Sequence, residues 1–438
     1  MKLHCDITLP ASKSESHRAL MIAAYGVFEA DFENLSDSQD TGLLKEALNN
    51  SFAQPLIDSN RATPSRNDIR VCAKDDDEPA VHVIPCGGSG SGIYAQQINV
   101  KDCGTAARFL TTYLACHKGE WLLTGTERMN QRPMAPLVEA LRALGADIQY
   151  VENEGFLPLR ITGKPISGGK VAVDMIQSSQ FASSLLLAAP MFPQGLELEL
   201  VGDLNSLPYL DMTLAMMCHF SAQAERHGRT VIVKPEPYQQ RPFAIEPDWT
   251  AASYWYEMAA FSEECEIRLR ALGGPSALRR AQGPSGTANL QGDAIIAEWM
   301  AQLGVDTFVE GEDVVLRKIP FKKQPLHFDF SQYPDLYPTM AATCAGLHVE
   351  AAFTGLDNLA IKESNRVEAM QAELSKLGQQ PLRFCAHNDH RIVMALAPLA
   401  MLFGPVAFDH PEVVEKSYPG YWKDCGFLPI FLKNLFFY

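Results

Sequence analysis

The chain has 438 residues, 47% of them hydrophobic and 20% charged, which excludes a disordered polypeptide and, at about 200 residues per ordinary core, favours two domains. A formal net charge of -15 excludes a broad basic surface for nucleic acid or anionic membrane, because either needs a spread of exposed Lys and Arg. Ten cysteines without zinc-ligand spacing, no run near the ~18 apolar residues that cross a bilayer and no apolar leader in MKLHCDITLP give the expectation of a reduced cytoplasmic protein.

In chain order, a strand-like alternation over the first residues leads into Pro10-Ala11-Ser12-Lys13-Ser14-Glu15-Ser16-His17-Arg18 and then the apolar run ALMIAA. A helix opening there gathers backbone N–H groups, hydroxyls and two cations around one point, as an anion site requires. Taken alone, the same turn also reads as a solvated helix cap. LLKEALNN at 43–50 gives a faint helix, and GGSGSG at 87–92 lacks the Lys and following helix of a P-loop, so it reads as a surface loop.

Asp102-Cys103-Gly104-Thr105-Ala106-Ala107-Arg108-Phe109-Leu110 is a small-residue turn starting a helix, with Arg108 one turn further on. Gly125-Thr126-Glu127-Arg128-Met129-Asn130-Gln131-Arg132-Pro133-Met134 joins a strand to a helix at 134–144. Its two arginines suit a clamp for carboxylate or phosphate, whose geometry a guanidinium fork matches. A salt-bridged loop has the same composition. Ser178-Ser179-Gln180-Phe181 again sets donors before a helix, ASSLLLAAP.

A repeated unit runs through these motifs. LVEALRALGADIQY at 137–150, IAEWMAQLGVDTFV at 296–309 and MQAELSKLGQQ at 370–380 each carry helical apolar spacing, then Gly145, Gly304 or Gly378 where a left-handed C-cap is needed. TLAMMCHFSAQAE at 213–225 is a copy without its glycine. The copies lie roughly 75 to 95 residues apart, above the ~20–50 residue period of solenoids, so each is a small α/β module. GGPSALRRAQGPSG at 273–286 reads as an insertion between a strand and the next helix.

The last constellation runs from Asp335 in YPDLYPTM through Lys362-Glu363-Ser364-Asn365-Arg366 to His387-Asn388-Asp389-His390-Arg391. On a helix Lys362 and Arg366 share a face, and Glu363 then sits between cations that hold it ionised or orient it. A surface charge network is the competing account.

Taken together and in order, SKSxSxR, GTAxRFL, ERMxxRP, SSQF, LPYLDMT, KESNRxxAM, NDHRIxMAL and EKSYPGYW resemble the enolpyruvylshikimate-phosphate synthase family from Leu9 to Trp422. The resemblance implies an α/β protein with mixed sheets, a two-lobed inside-out α/β barrel with three βαβαββ repeats per lobe. One lobe, 14–243, is then inserted in the chain and the other is formed by 1–13 and 244–438. It implies transfer of an enolpyruvyl group from phosphoenolpyruvate to the 5-hydroxyl of shikimate 3-phosphate, with release of phosphate, by a monomer that uses no metal or cofactor.

Carried over by position, the shikimate 3-phosphate site resembles one formed by Lys13, Ser14, Arg18, Ser178, Ser179, Gln180, Ser206, Tyr209, Asp335, Asn358 and Lys362. The phosphoenolpyruvate site resembles one formed by Lys13, Gly104, Arg128, Gln180, Arg366, Arg391 and Lys416. Asp335, with Lys362 near it, then matches the group that takes the hydroxyl proton, and Glu363 the donor to the methylene carbon. Ala11, His17 and Leu207 depart from the family pattern, and Asp102-Cys103 puts a carboxylate beside the phosphoenolpyruvate pocket, with weaker anion affinity as the expectation. Two other readings differ in testable ways. The sister family acting on UDP-N-acetylglucosamine carries a Cys in the loop at 126–133, absent here, and a catalytically silent binding homologue would have lost its charged site residues.

Overall fold

The computed structural model describes residues 1–30, 32–51, 81–85, 94–273 and 290–431. The loop read at 87–92, and all of the 273–286 stretch after Gly273, lie outside the described residues.

One chain path recurs. Tyr94–Asn99 passes through the helix Gly104–Cys116 to its parallel neighbour Gly119–Thr124, and the helix Ala135–Ala143 leads on to the antiparallel strands Asp147–Tyr150 and Leu159–Gly163. Gly169–Asp174, Leu196–Val201, Ala224–His227 and Thr230–Val233 repeat that path around the helices Gln180–Ala188 and Leu207–His219. Parallel neighbours cannot be joined by a tight turn, so each needs a helical crossover.

A third copy is split along the sequence. Lys2–Ile7 pairs in parallel with Glu264–Leu269, and its crossover helix Trp249–Phe261 comes only after the two copies just described. Ile296–Ala301, Val305–Glu310 and Asp313–Lys318 complete it. A further set begins at Leu326–Asp329, which lies parallel to Ala351–Thr354 across the helix Tyr337–Leu347. It continues through the helix Arg366–Leu374 to Leu382–Phe384, paired in parallel with Val406–Phe408 across the helix His390–Leu396.

Helices that are apolar all round are buried, and these lobes place such helices at their centres. Every residue of Trp249–Phe261 is buried, as are Phe181 to Ala188 in their helix. The strands outside them alternate, as Leu196, Leu198 and Leu200 point inward between more exposed neighbours. Two apolar clusters result, one drawn from residues 11–245 with Leu290 and one from Leu3, Ile7, Leu9 and residues 249–428.

The expected left-handed caps are present at Gly145, Gly304 and Gly378, with φ of 96°, 88° and 94°. In the copy without a glycine, Ser221 takes the same role at φ 75°. The two chain passages between the clusters lie side by side: Ser12 N donates to Glu246 O at 2.8 Å and Asp248 N to Pro10 O at 2.9 Å.

One local expectation is overturned. Lys362 and Arg366 do not share a helical face, because the helix starts at Arg366 and Asn365 is its N-cap, accepting from Glu368 N at 3.4 Å. An Asn side chain that satisfies a first-turn N–H stops the helix from extending backward. Residues 362–364 therefore form a bend, which turns the Lys362 and Glu363 side chains toward the space between the clusters.

Candidate active site

Helices from both halves begin at this space. Ser12 caps Lys13–Gly26, Cys103 caps Gly104–Cys116 and Ser179 precedes Gln180–Ala188. Asn365 and Asp389 cap Arg366–Leu374 and His390–Leu396 from the other side. Helix N-termini carry unpaired N–H groups and a partial positive charge, so this convergence suits anions.

The charged groups fall into two linked clusters. Around Asp335, Arg391 Nη2 stands at 2.7 Å, Arg366 Nη1 at 2.9 Å and Lys362 Nζ at 4.0 Å. Burial alone would raise this carboxyl; Arg391, Lys362 and Arg366 outweigh it and hold Asp335 well below the usual carboxylate range. Around Glu363, Arg366 Nη2 stands at 2.8 Å, with Arg132 Nη1 and Lys416 Nζ both at 3.9 Å. Burial is again outweighed, here by Arg366, Arg132 and Lys416, so Glu363 is ionised.

Arg366 joins the clusters. It is 1% exposed, and its Nε also meets Asp389 at 2.8 Å. Burial pushes the Lys362 ammonium down. Lys13 behaves oppositely: burial lowers it, but Asp40 at 2.9 Å together with Cys103 and Glu363 raises it overall.

Contacts between the halves close the space. Arg128 donates to the carbonyls of Glu363 and Ala360, each at 3.1 Å, and of Lys362 at 2.8 Å. Lys416 Nζ reaches Asp102 O at 3.1 Å, Asn388 Nδ2 reaches Asp102 Oδ2 at 3.3 Å and Ser206 N reaches Ser331 O at 2.9 Å. The cavity left beside Lys13, Ser14, Tyr254 and Arg391 is about 10 Å³, room for one water at most. A larger hollow of about 650 Å³ is lined by residues between 133 and 143, 154 and 156, and 170 and 177, and by none of Asp335, Glu363, Arg366 or Arg391.

Most of the residues singled out by sequence sit at this space. Gln180 Nε2 donates to Thr105 Oγ1 at 3.0 Å and its N–H to Ser178 Oγ at 3.2 Å. Ser179, Ser206, Asn358 and Lys416 are buried. Gly104 lets both guanidinium groups approach the backbone: a Cβ there would stand 2.6 Å from Arg108 Nη1 and 2.7 Å from Arg132 Nη1, which would have to shift. Arg18 is placed differently. Its guanidinium donates to Thr213 Oγ1 at 2.7 Å, Ser14 O at 2.8 Å and Tyr209 O at 3.0 Å, which ties the first helix to Leu207–His219 with three of its five N–H donors.

Asp40, Asp293 and Asp389 belong to the charge network without having been read as candidates, and so does Arg132, the second of the two clamp arginines. Arg132 and Asp389 lie inside motifs already noted, whereas Asp40 and Asp293 carry no sequence signal of their own. His17 and His390 are also buried at the cleft, and burial lowers both, His17 to about 3. They are neutral there.

Comparison with known proteins bears on what this arrangement does. A family model described as EPSP synthase (3-phosphoshikimate 1-carboxyvinyltransferase) matches residues 1–425. A 3-phosphoshikimate 1-carboxyvinyltransferase of Bacteroides fragilis is 38% identical over 444 residues, covering 97% of this chain and 95% of its own. One from Haemophilus influenzae is 32% identical, with 98% and 96% covered. Among solved structures, EPSP synthase from Acinetobacter baumannii superposes with a TM-score of 0.63 at 19% identity, covering 98% of this chain and 96% of that one. The enolpyruvyl transferase NikO from Streptomyces tendae gives 0.60 at 14% identity, covering 97% and 95%. These two likenesses establish the two-lobed inside-out α/β fold.

Proposed function

The chain belongs to the EPSP synthase (3-phosphoshikimate 1-carboxyvinyltransferase) family, and from that membership we propose that its interlobe cleft joins the enolpyruvyl group of phosphoenolpyruvate to the 5-hydroxyl of shikimate 3-phosphate. One observation carries the reading. Two ionised carboxylates, Asp335 and Glu363, share Arg366 between them inside a ring of cations drawn from both halves of the chain. In the same reading the lobes are 14–243 and 1–13 with 244–438, and the enzyme acts as a cytoplasmic monomer.

Asp335 takes the proton of the 5-hydroxyl as its oxygen attacks C2, and Glu363 gives a proton to the methylene carbon. Glu363 then takes a proton back from the new methyl group as the C2–O bond to phosphate breaks, which regenerates its carboxylic acid for the next donation. Lys13, Arg128, Arg366, Arg391 and Lys416 hold the substrate phosphate and carboxylate, with Gly104 and Gln180 lining the phosphoenolpyruvate pocket. Ser14, Ser178, Ser179, Ser206, Tyr209, Asn358 and Lys362 line the other, beside Arg18. Fixed cations aimed at developing charge supply most of the rate.

Glu363 is ionised before substrate arrives, yet its first task is to donate. The anions of phosphoenolpyruvate resolve this, because they engage Arg366, Arg132 and Lys416 and so release Glu363 to bind a proton. Net proton uptake therefore accompanies phosphoenolpyruvate binding, measurable by calorimetry in buffers of different ionisation enthalpy. No uptake would contradict the assignment.

The purified chain is expected to release inorganic phosphate from phosphoenolpyruvate with shikimate 3-phosphate and not with UDP-N-acetylglucosamine. The reverse preference would overturn the reading. Asp102→Asn is a finer test. The Asp102 carboxylate accepts from Thr126 and Asn388, bonds that an amide oxygen keeps in part, while its charge opposes anion binding. The substitution should lower the KM for phosphoenolpyruvate about five-fold, the size of the roughly 1 kcal/mol between unit charges about 4 Å apart in water.

A further inference from the structure

Behind Asp335 lies a second buried carboxylate. Asp293 is 3% exposed and belongs to the helical turn Gly292–Ile295 of the second lobe. Tyr209, from the first lobe, sets its hydroxyl 3.1 Å from both Asp293 oxygens and 3.5 Å from Asp335 Oδ2. The phenol thus stands between two carboxylates, one of which faces the substrates.

We propose that Asp293 acts through the Tyr209 hydroxyl as the second proton acceptor of the reaction. The proposal rests on the reading of Asp335 as the base. The 5-hydroxyl proton moves to Asp335; Asp335 then gives a proton to Tyr209 Oη while the phenolic proton moves to Asp293. Every O–H bond broken is matched by one formed, and the phenol is neutral before and after. Asp293 touches no reacting atom, so it is a positioning residue and proton store rather than a catalytic one.

The two carboxylates differ in what surrounds them. Asp335 has three cations within 4.0 Å, which keep it oriented but make a bound proton costly. Asp293 faces Tyr209 from one helix, Thr250 and Asp248 from another, Asp335 and Tyr333 from a third segment, and Arg391 at longer range. Burial first, and then Asp335, push its carboxyl up to about 6, against Thr250 and Arg391. A proton is therefore stored more readily on Asp293 than on Asp335, and passing it on restores the Asp335 carboxylate that Arg366 and Arg391 require.

Asp293→Asn separates this role from support of the closed lobes, because the amide oxygen still accepts from Tyr209. The expected result is a kcat lowered ten- to a hundred-fold, KM values for both substrates within two-fold, and loss of the limb of the kcat–pH profile that rises through about pH 6. Tyr209→Phe should lose that limb too, with the double variant no slower than the worse single one. The second variant also keeps the proposal testable if Asp293→Asn does not fold. Unchanged kcat and pH profile in Asp293→Asn, or in Tyr209→Phe, overturns it. Asp335→Asn keeps the failures apart: activity surviving there removes the base itself, whereas its loss beside a wild-type Asp293→Asn removes only the relay.

Discussion

Replacing Glu363 by Gln is expected to lower kcat by about 10³-fold or more, since general acid–base groups typically contribute ~10²–10⁴-fold and this one serves both the proton donation and its reversal. The substitution leaves the Arg128 contact to the Glu363 backbone carbonyl intact and preserves an acceptor for Arg366. Shikimate 3-phosphate affinity should therefore be unchanged. The KM for phosphoenolpyruvate should fall, because a negative charge has been removed from among the cations that hold it. Single-turnover phosphate release measures the loss, and substrate-induced fluorescence change measures the retained affinity. Proton uptake on phosphoenolpyruvate binding should disappear in the same variant. A variant with near-normal turnover would remove Glu363 from the chemistry.

How much of this could be read from the amino acids depended on the range of the interaction. Gly145, Gly304 and Gly378 declared themselves because a left-handed cap is a local requirement. Lys13, Gly104 and Gln180 were legible because small or polar residues at helix starts have a local meaning that several ordered motifs reinforce. The 362–366 segment was misread for a local reason too: Asn365 is a strong N-cap, and its side-chain bond to Glu368 N competes with helix before it. The neighbouring Arg366 still reaches Glu363, from a bend instead of a shared helical face.

Long-range pairings left no such trace. Asp40 is 27 residues from Lys13 and Asp293 is 84 from Tyr209, and nothing in DSQD or LQGD says which partner the fold will supply. The bridging contacts of Arg18 were hidden in the same way, since only the packed structure shows three of its donors on Thr213, Ser14 and Tyr209. The split unit is the extreme case. Lys2–Ile7 and Glu264–Leu269 are ordinary strands whose pairing follows from an entire lobe lying between them in sequence.

Arg366→Met tests the network as a whole, and it is expected to lower stability markedly. Arg366 is 1% exposed and ion-pairs with Asp335, Glu363 and Asp389. Removing one partner of a buried ion pair costs about 3–5 kcal/mol, because the remaining charge stays buried without its counterion. Asp335 keeps Arg391 at 2.7 Å, and Glu363 keeps Arg132 and Lys416 at 3.9 Å. Asp389 keeps only uncharged donors among those bonds, Ser364 Oγ and Arg391 N, both at 3.0 Å. The deficit should also depend on pH, with a definite sign. In the wild type, Asp335 and Glu363 are held below their unfolded values, so they contribute stability above about pH 4 that is lost only as pH falls through the depressed folded values. In the Met variant burial is less opposed, the folded values rise, and proton binding favours the folded state as pH approaches the ordinary carboxylate range. Thermal unfolding should therefore show a larger gap between variant and wild type at pH 8 than at pH 5. Arg366→Met with Asp389→Asn should recover part of the loss at pH 8, since the fully buried orphan charge has gone with its partner. A gap of equal size at both pH values, untouched by the second substitution, would mean that Arg366 holds the cleft by shape alone.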